Sequence, residues 1–103
     1  MADTGSIVHV VLTEWREGMP AESRAEMRLA IGRFAEEIPG VLSVVEGPSV
    51  STEGLESGFE WCLVATFADA AARDGYLDHP THLPVAAIIG EWAARLVVFD
   101  LDG

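Results

Sequence analysis

The sequence predicts an α+β domain, a ferredoxin-like β-α-β-β-α-β sandwich with one antiparallel sheet. Three observations carry this. Four short runs rich in β-branched and aromatic residues are interleaved with stretches of helical periodicity. Their order is that of the split β-α-β unit. The chain has 103 residues, half of them hydrophobic, which is enough for one core and one domain without a disulfide or structural metal.

The elements follow in order. Residues 1–5 read as a flexible leader and residues 6–102 as the single domain. Ser6 to Thr13 is the first strand, with Ile7, His9 and Val11 on one face and Val8, Val10 and Leu12 on the other. Gly18-Met19-Pro20 interrupts it, and Pro20 suits the first turn of a helix. That helix is expected to run to about Glu37, because Met27, Ile31, Phe34 and Ile38 form one apolar stripe. Pro39-Gly40 ends it. Val41 to Val45 is the second strand, closed by Gly47-Pro48, and Ser49–Gly58 is a polar loop. Phe59 to Phe67 is the third strand. Phe59, Trp61, Leu63, Ala65 and Phe67 share one face, and Glu60, Cys62, Val64 and Thr66 the other. Asp69 can cap a helix from Ala70 to about Leu77. After Asp78-His79-Pro80-Thr81-His82 a second short helix is expected from Leu83 to Ala93, and Arg95 to Leu101 is the last strand, apolar on both faces.

Helices cover one face of such a sheet, and the other face would be half polar if it met water. Here that second face carries large apolar residues in the first, third and fourth strands. A positive mean hydropathy points the same way. The economical solution is a homodimer in which two sheets face each other and enclose an interior, where a small hydrophobic or carbonyl ligand could sit.

The charge excludes several roles. Asp and Glu outnumber Lys and Arg 17 to 6, for a net charge of −11. Such a surface repels phosphate backbones and anionic membranes, so neither nucleic acid nor membrane is an expected partner. The absence of a signal-like N-terminus makes the cytoplasm the expected location. Cys62, the one cysteine, reads as a small buried side chain.

Chemistry can reside in few places. All three histidines lie at His9, mid-strand, and in the run Tyr76-Leu77-Asp78-His79-Pro80-Thr81-His82. Histidine exchanges protons near neutral pH, and a tyrosine hydroxyl can donate to a developing oxyanion. Pro80 biases His79 away from helical geometry and can aim His82. His79 reads as scaffold. His9 is either a hydrogen-bonded structural residue or a cavity wall. Phe59, Trp61 and Trp92 are either core or interface aromatics or part of a substrate-binding surface. Three imidazoles could hold zinc, but the two in the run straddle a proline and need not converge. No metal or cofactor is expected.

Several of these residues carry a resemblance. Ile7-Val8-His9-Val10-Val11, Ile38-Pro39-Gly40-Val41, the Tyr-x-x-His-Pro-x-His run and Val97-Val98-Phe99-Asp100 resemble the stress-responsive dimeric α/β barrel (Dabb) family. The resemblance spans Ile7 to Asp100 and implies a homodimeric barrel of two ferredoxin-like sheets. At the Tyr-x-x-His-Pro-x-His run it is similar to members of the olivetolic acid cyclase type. That similarity implies a cofactor-independent cyclase or lyase in which His82 is the general base and Tyr76 orients it or the substrate oxygen. Trp61 departs from that pattern, standing where such cyclases carry a further histidine. Two alternatives are a non-enzymatic stress-response or ligand-binding protein, and a cofactor-free monooxygenase of a neighbouring ferredoxin-like family.

Overall fold

The computed structural model describes residues 5–103; the expected leader lies almost wholly outside them. The elements are β1 (Ile7–Trp15), α1 (Ala21–Ile31), α2 (Phe34–Glu37), β2 (Val41–Pro48), β3 (Trp61–Phe67), α3 (Ala70–Leu77), α4 (Leu83–Trp92) and β4 (Ala93–Asp102). The strands form one four-stranded sheet in the order β2-β3-β1-β4, antiparallel throughout. This is the ferredoxin-like arrangement that the element order predicts. Among the described residues no helix is long and apolar enough to cross a membrane.

Alternation sorts the sheet into two faces. His9, Val11, Thr13 and Trp15 of β1 and Trp61, Leu63, Ala65 and Phe67 of β3 are buried beneath the helices. Met27, Ile31, Phe34 and Ile38 meet them from above, as their spacing requires. The opposite face joins Val8, Val10 and Leu12 to Leu101, Phe99 and Val97 of β4 and to Thr66, Val64 and Cys62 of β3. On this face Phe99 is 60 % exposed and Val45 69 %. Burial pushes the half-buried Cys62 thiol above its ordinary value, so it carries no reactive thiolate.

Several boundaries differ from expectation. The long first helix is two, because the chain tightens at Gly32-Arg33, where Arg33 bonds back three residues to Ala30. Gly32 keeps right-handed φ and ψ, so the axis is nearly preserved and the stripe stays on the core. β1 continues to Trp15, with a bulge, because Glu14 pairs across the sheet with Arg95 at 2.6 Å. β2 extends to Pro48, which an edge strand tolerates. β3 starts at Trp61 and not Phe59, because Ser57 and Gly58 both take positive φ and turn the chain just before it. At the other end of the sheet α4 passes straight into β4: Ala93, expected as helix, is already extended.

Gly40 shows how tightly the turn into β2 is built. Its φ is +85°, its carbonyl accepts from Ala68 N–H at 2.8 Å, and a Cβ there would overlap the Ala72 side chain on α3. Gly40→Ala combines a left-handed backbone with a steric clash. It is expected to destabilise the fold by about 2–4 kcal/mol, read as a lower urea midpoint at unchanged slope.

Candidate functional site

The helix-covered face contains a cavity of about 220 Å³. Its floor is His9, Val11, Leu63, Tyr76, Val85 and Ile89, all buried. Its rim is Leu77, Ala86, Gly90, Leu96 and Val98, all exposed, so the mouth opens between α4 and β4. His82 stands at the edge. The cavity lies between the sheet and its own helices, on the face opposite the one expected to meet a second sheet. The reason is parity. His9 is an odd-numbered residue of β1 and must share the helix side with Val11 and Thr13.

Tyr76 occupies the centre. It lies in the last turn of α3, a helix started by Asp69, whose carboxylate accepts from Ala72 N–H at 2.8 Å. Its ring meets Phe67 at 4.8 Å, Phe34 at 5.5 Å and His9 at 5.6 Å between centroids. On its remaining side the His82 ring packs at 4.0 Å. Burial pushes the Tyr76 phenol far above its ordinary value, so it stays a neutral O–H.

His82 begins α4, whose second residue is Pro84. The preceding turn is tied by His79: its carbonyl accepts from the N–H groups of His82 and Leu83, and its ring Nδ1 accepts from Thr81 N–H at 3.1 Å. His79 lies outside the cavity, against the hollow formed by Ile38, Gly40 and Asp69. Its contacts are those of scaffold. In His82 itself Nδ1 is 3.2 Å from the Leu77 carbonyl. A carbonyl only accepts, so Nδ1 carries the proton and Nε2 keeps its lone pair. Burial holds His82 below its ordinary value; the Leu77 bond opposes this, and His9 and His79 reinforce it.

His9 makes the other polar contact of the floor. Its Nδ1 is 2.6 Å from Asp100 Oδ1 on β4, directly across the strand pair. Asp100 Oδ2 in turn accepts from Arg73 Nη1 of α3 at 3.1 Å. Sequence reasoning missed this pair. It took β4 as apolar on both faces, although Asp100 shares its helix side with Leu96 and Val98. The signal was parity plus register: an acid at that position of β4 falls opposite a histidine of β1 once the strands align.

The three expected aromatics do not join this cavity. Trp61 is buried on the same face but packs on Trp15 and donates to Glu46 Oε1 at 2.9 Å. Phe59 lies outside β3 beneath the Arg95 guanidinium, 4.3 Å away. Trp92 ends α4 and packs on the core edge. Among the described residues the lining carries no carboxylate, no Arg and no Lys, and no cluster of His, Cys, Asp or Glu stands close enough to hold a metal ion.

Comparison with known proteins identifies the family and the fold. The sequence model of the stress responsive A/B barrel domain matches residues 7–102, and the chain belongs to that family. The stress-response A/B barrel domain-containing protein HS1 of Arabidopsis thaliana is 26% identical over 96 residues, covering 93% of this chain and 88% of that protein. A dimeric ferredoxin-like protein of unknown function from Jannaschia sp. CCS1 superposes with a TM-score of 0.87 at 25% identity, over 96% of this chain and all of the other. A hydroxynitrile lyase from Passiflora edulis shares the fold, with a TM-score of 0.84 at 16% identity over 97% of this chain and 94% of its own.

The lowered His82 pKa has a pH consequence. Between that value and the ordinary 6.5 the unfolded chain binds the proton that folded His82 refuses. Stability at this residue is therefore full above 6.5 and declines as pH falls through the lowered value. Titration of the His82 ring by NMR is expected to give a midpoint below 6.5. His82→Gln is expected to flatten the loss of stability between about pH 7 and 5.

Proposed function

We propose that this member of the stress responsive A/B barrel family is a cofactor-independent lyase or cyclase. It works in the cytoplasm as a homodimer and removes a proton beside the carbonyl of a small uncharged compound held in the cavity. The observation that carries this reading is the His82 imidazole packed 4.0 Å from a neutral Tyr76 at the edge of an apolar cavity. His82 Nε2 has a free lone pair, and burial keeps the ring unprotonated at neutral pH. A base of that kind suits proton abstraction next to a carbonyl. The C–H electron pair moves into the carbonyl, which becomes an enolate, and the Tyr76 O–H donates to that oxygen. In a cyclisation the enolate carbon attacks a second carbonyl of the same molecule, and the proton on His82 returns to the new alkoxide. The resemblance of the Tyr-x-x-His-Pro-x-His run to the olivetolic acid cyclase type supports the cyclising form, and a fold that also houses a hydroxynitrile lyase accommodates carbonyl chemistry.

Cavity chemistry limits the substrate. With no cation in the lining and a net charge of −11, a carboxylate would enter unpaired, whereas a neutral carbonyl compound with a short apolar tail matches the Val, Leu and Ile lining. The homodimer is supported by the apolar outer face of the sheet, and the Jannaschia relative is dimeric.

Four measurements test this. His82→Ala should abolish turnover of neutral dicarbonyl substrates, roughly 100-fold or more, while the melting temperature barely moves; a variant that mainly unfolds makes His82 structural. Tyr76→Phe is the informative tyrosine variant, since Tyr76→Ala would cost about 3–5 kcal/mol of packing. Ligands that stabilise the protein and are recovered unchanged, with no turnover of any carbonyl compound, would instead establish a binding protein. Light scattering at micromolar concentration should give twice the chain mass, and a Phe99→Glu variant half of that.

A further inference from the structure

The His9–Asp100–Arg73 chain has no part in the proton abstraction described above, yet it joins three separate elements at the cavity floor. His9 is 5 % exposed. Its only hydrogen bond among the described contacts is to Asp100, at 2.6 Å. Asp100 is itself held by Arg73, which reaches over from α3 and also bonds Asp74 at 2.9 Å. A carboxylate only accepts, so in neutral His9 the proton sits on Nδ1 and the lone pair on Nε2. An unpaired imidazole favours the opposite tautomer. The carboxylate thus selects one ring form, as second partners of functional histidines commonly do.

We infer that Asp100 and Arg73 are positioning residues that fix His9 as a hydrogen-bond acceptor on the cavity floor, so that the substrate carries a hydroxyl beside its carbonyl. This rests on the proton-transfer reading of the same cavity and narrows its substrate class. Both imidazoles then present acceptor nitrogens: His82 through the Leu77 carbonyl, His9 through Asp100. Only Tyr76 supplies a donor. A ligand that satisfies all three presents one carbonyl oxygen to Tyr76, an acidic C–H to His82 and an O–H to His9. Hydroxy ketones and the enol forms of 1,3-dicarbonyl compounds have that pattern. A simple ketone leaves the buried His9 nitrogen unpaired, which costs binding.

Arg73 matters because Asp100 sits on an edge strand with every other side chain of β4 exposed beyond Ala93. Without the guanidinium the carboxylate is free to turn toward water. The two contacts of Arg73 to acidic partners hold its own charge in place and leave none for the substrate.

The test reads the ring directly and needs no turnover. Long-range ¹H–¹⁵N spectra of histidine-labelled protein at about pH 9, above the ordinary imidazole range, should show His9 protonated on Nδ1 with a pyridine-like Nε2. Asp100→Leu should convert it to the Nε2–H form. Asp100→Asn, which retains an acceptor oxygen, should restore a mixture, and Arg73→Met should weaken the preference without moving the His82 signals. A wild-type His9 already in the Nε2–H form overturns the proposal without any variant. Millimolar hydroxyacetone, whose hydroxyl lies beside its carbonyl, should shift the His9 Nε2 resonance, and acetone should not. Equal shifts, or none from either, overturn the substrate assignment. Full activity of His82→Ala would remove the catalytic reading and leave these ring measurements standing.

Discussion

The packing of Tyr76 is the contact on which the remaining organisation depends. One ring touches Phe34 of α2, Phe67 of β3, His9 of β1 and His82 at the start of α4. Removing that ring would unseat five elements at once. The consequence is that the candidate site is not attached to the core but is continuous with it. Two imidazoles have their Nδ1 atoms held by Asp100 and the Leu77 carbonyl, and their faces packed against the aromatic cluster. Interiors packed this closely keep side chains in single rotamers. The geometry a proton transfer needs is therefore held by the same contacts that hold the fold.

The second constraint is the two-residue period of the strands. It sends every odd residue of β1 from Ile7 to Trp15 toward the helices and every even one away. One face becomes the core and the cavity; the other becomes a broad apolar sheet running from Val8 to Phe99. Most acidic residues fall on helices, in loops or near strand ends; Asp100 and Glu46, within strands, are held by His9 and Trp61.

Much of this was legible in the chain itself. Val, Ile and Phe runs mark strands because β-branched and aromatic side chains suit a pleated surface, and the stripe from Met27 to Ile38 marks a core-facing helix. The Tyr76, His79 and His82 run was legible because a proline between two histidines signals a shaped turn. Other features depended on relations between distant residues. His9 and Asp100 are 91 positions apart and meet only through the β1–β4 register. Trp61, Phe59 and Trp92 look alike in composition, yet Glu46, Arg95 and the end of α4 hold each of them away from the cavity. The break at Gly32 leaves no mark in the sequence pattern, because apolar periodicity persists through one tightened turn.

The direct passage of α4 into β4 has a mechanical meaning. The two lips of the cavity, Gly90 on the helix and Leu96 on the strand, belong to one continuous stretch with no connecting loop between Trp92 and Ala93. That stretch is anchored by nine paired positions along β1. The lips therefore cannot swing apart as a hinged lid does. The aperture is set by the volumes of the side chains that line it, and a guest too large for it must unwind helical turns or shear a strand. For the proposed carbonyl substrate such a mouth would be a fixed gauge, selecting by size at the threshold before the chemistry inside discriminates.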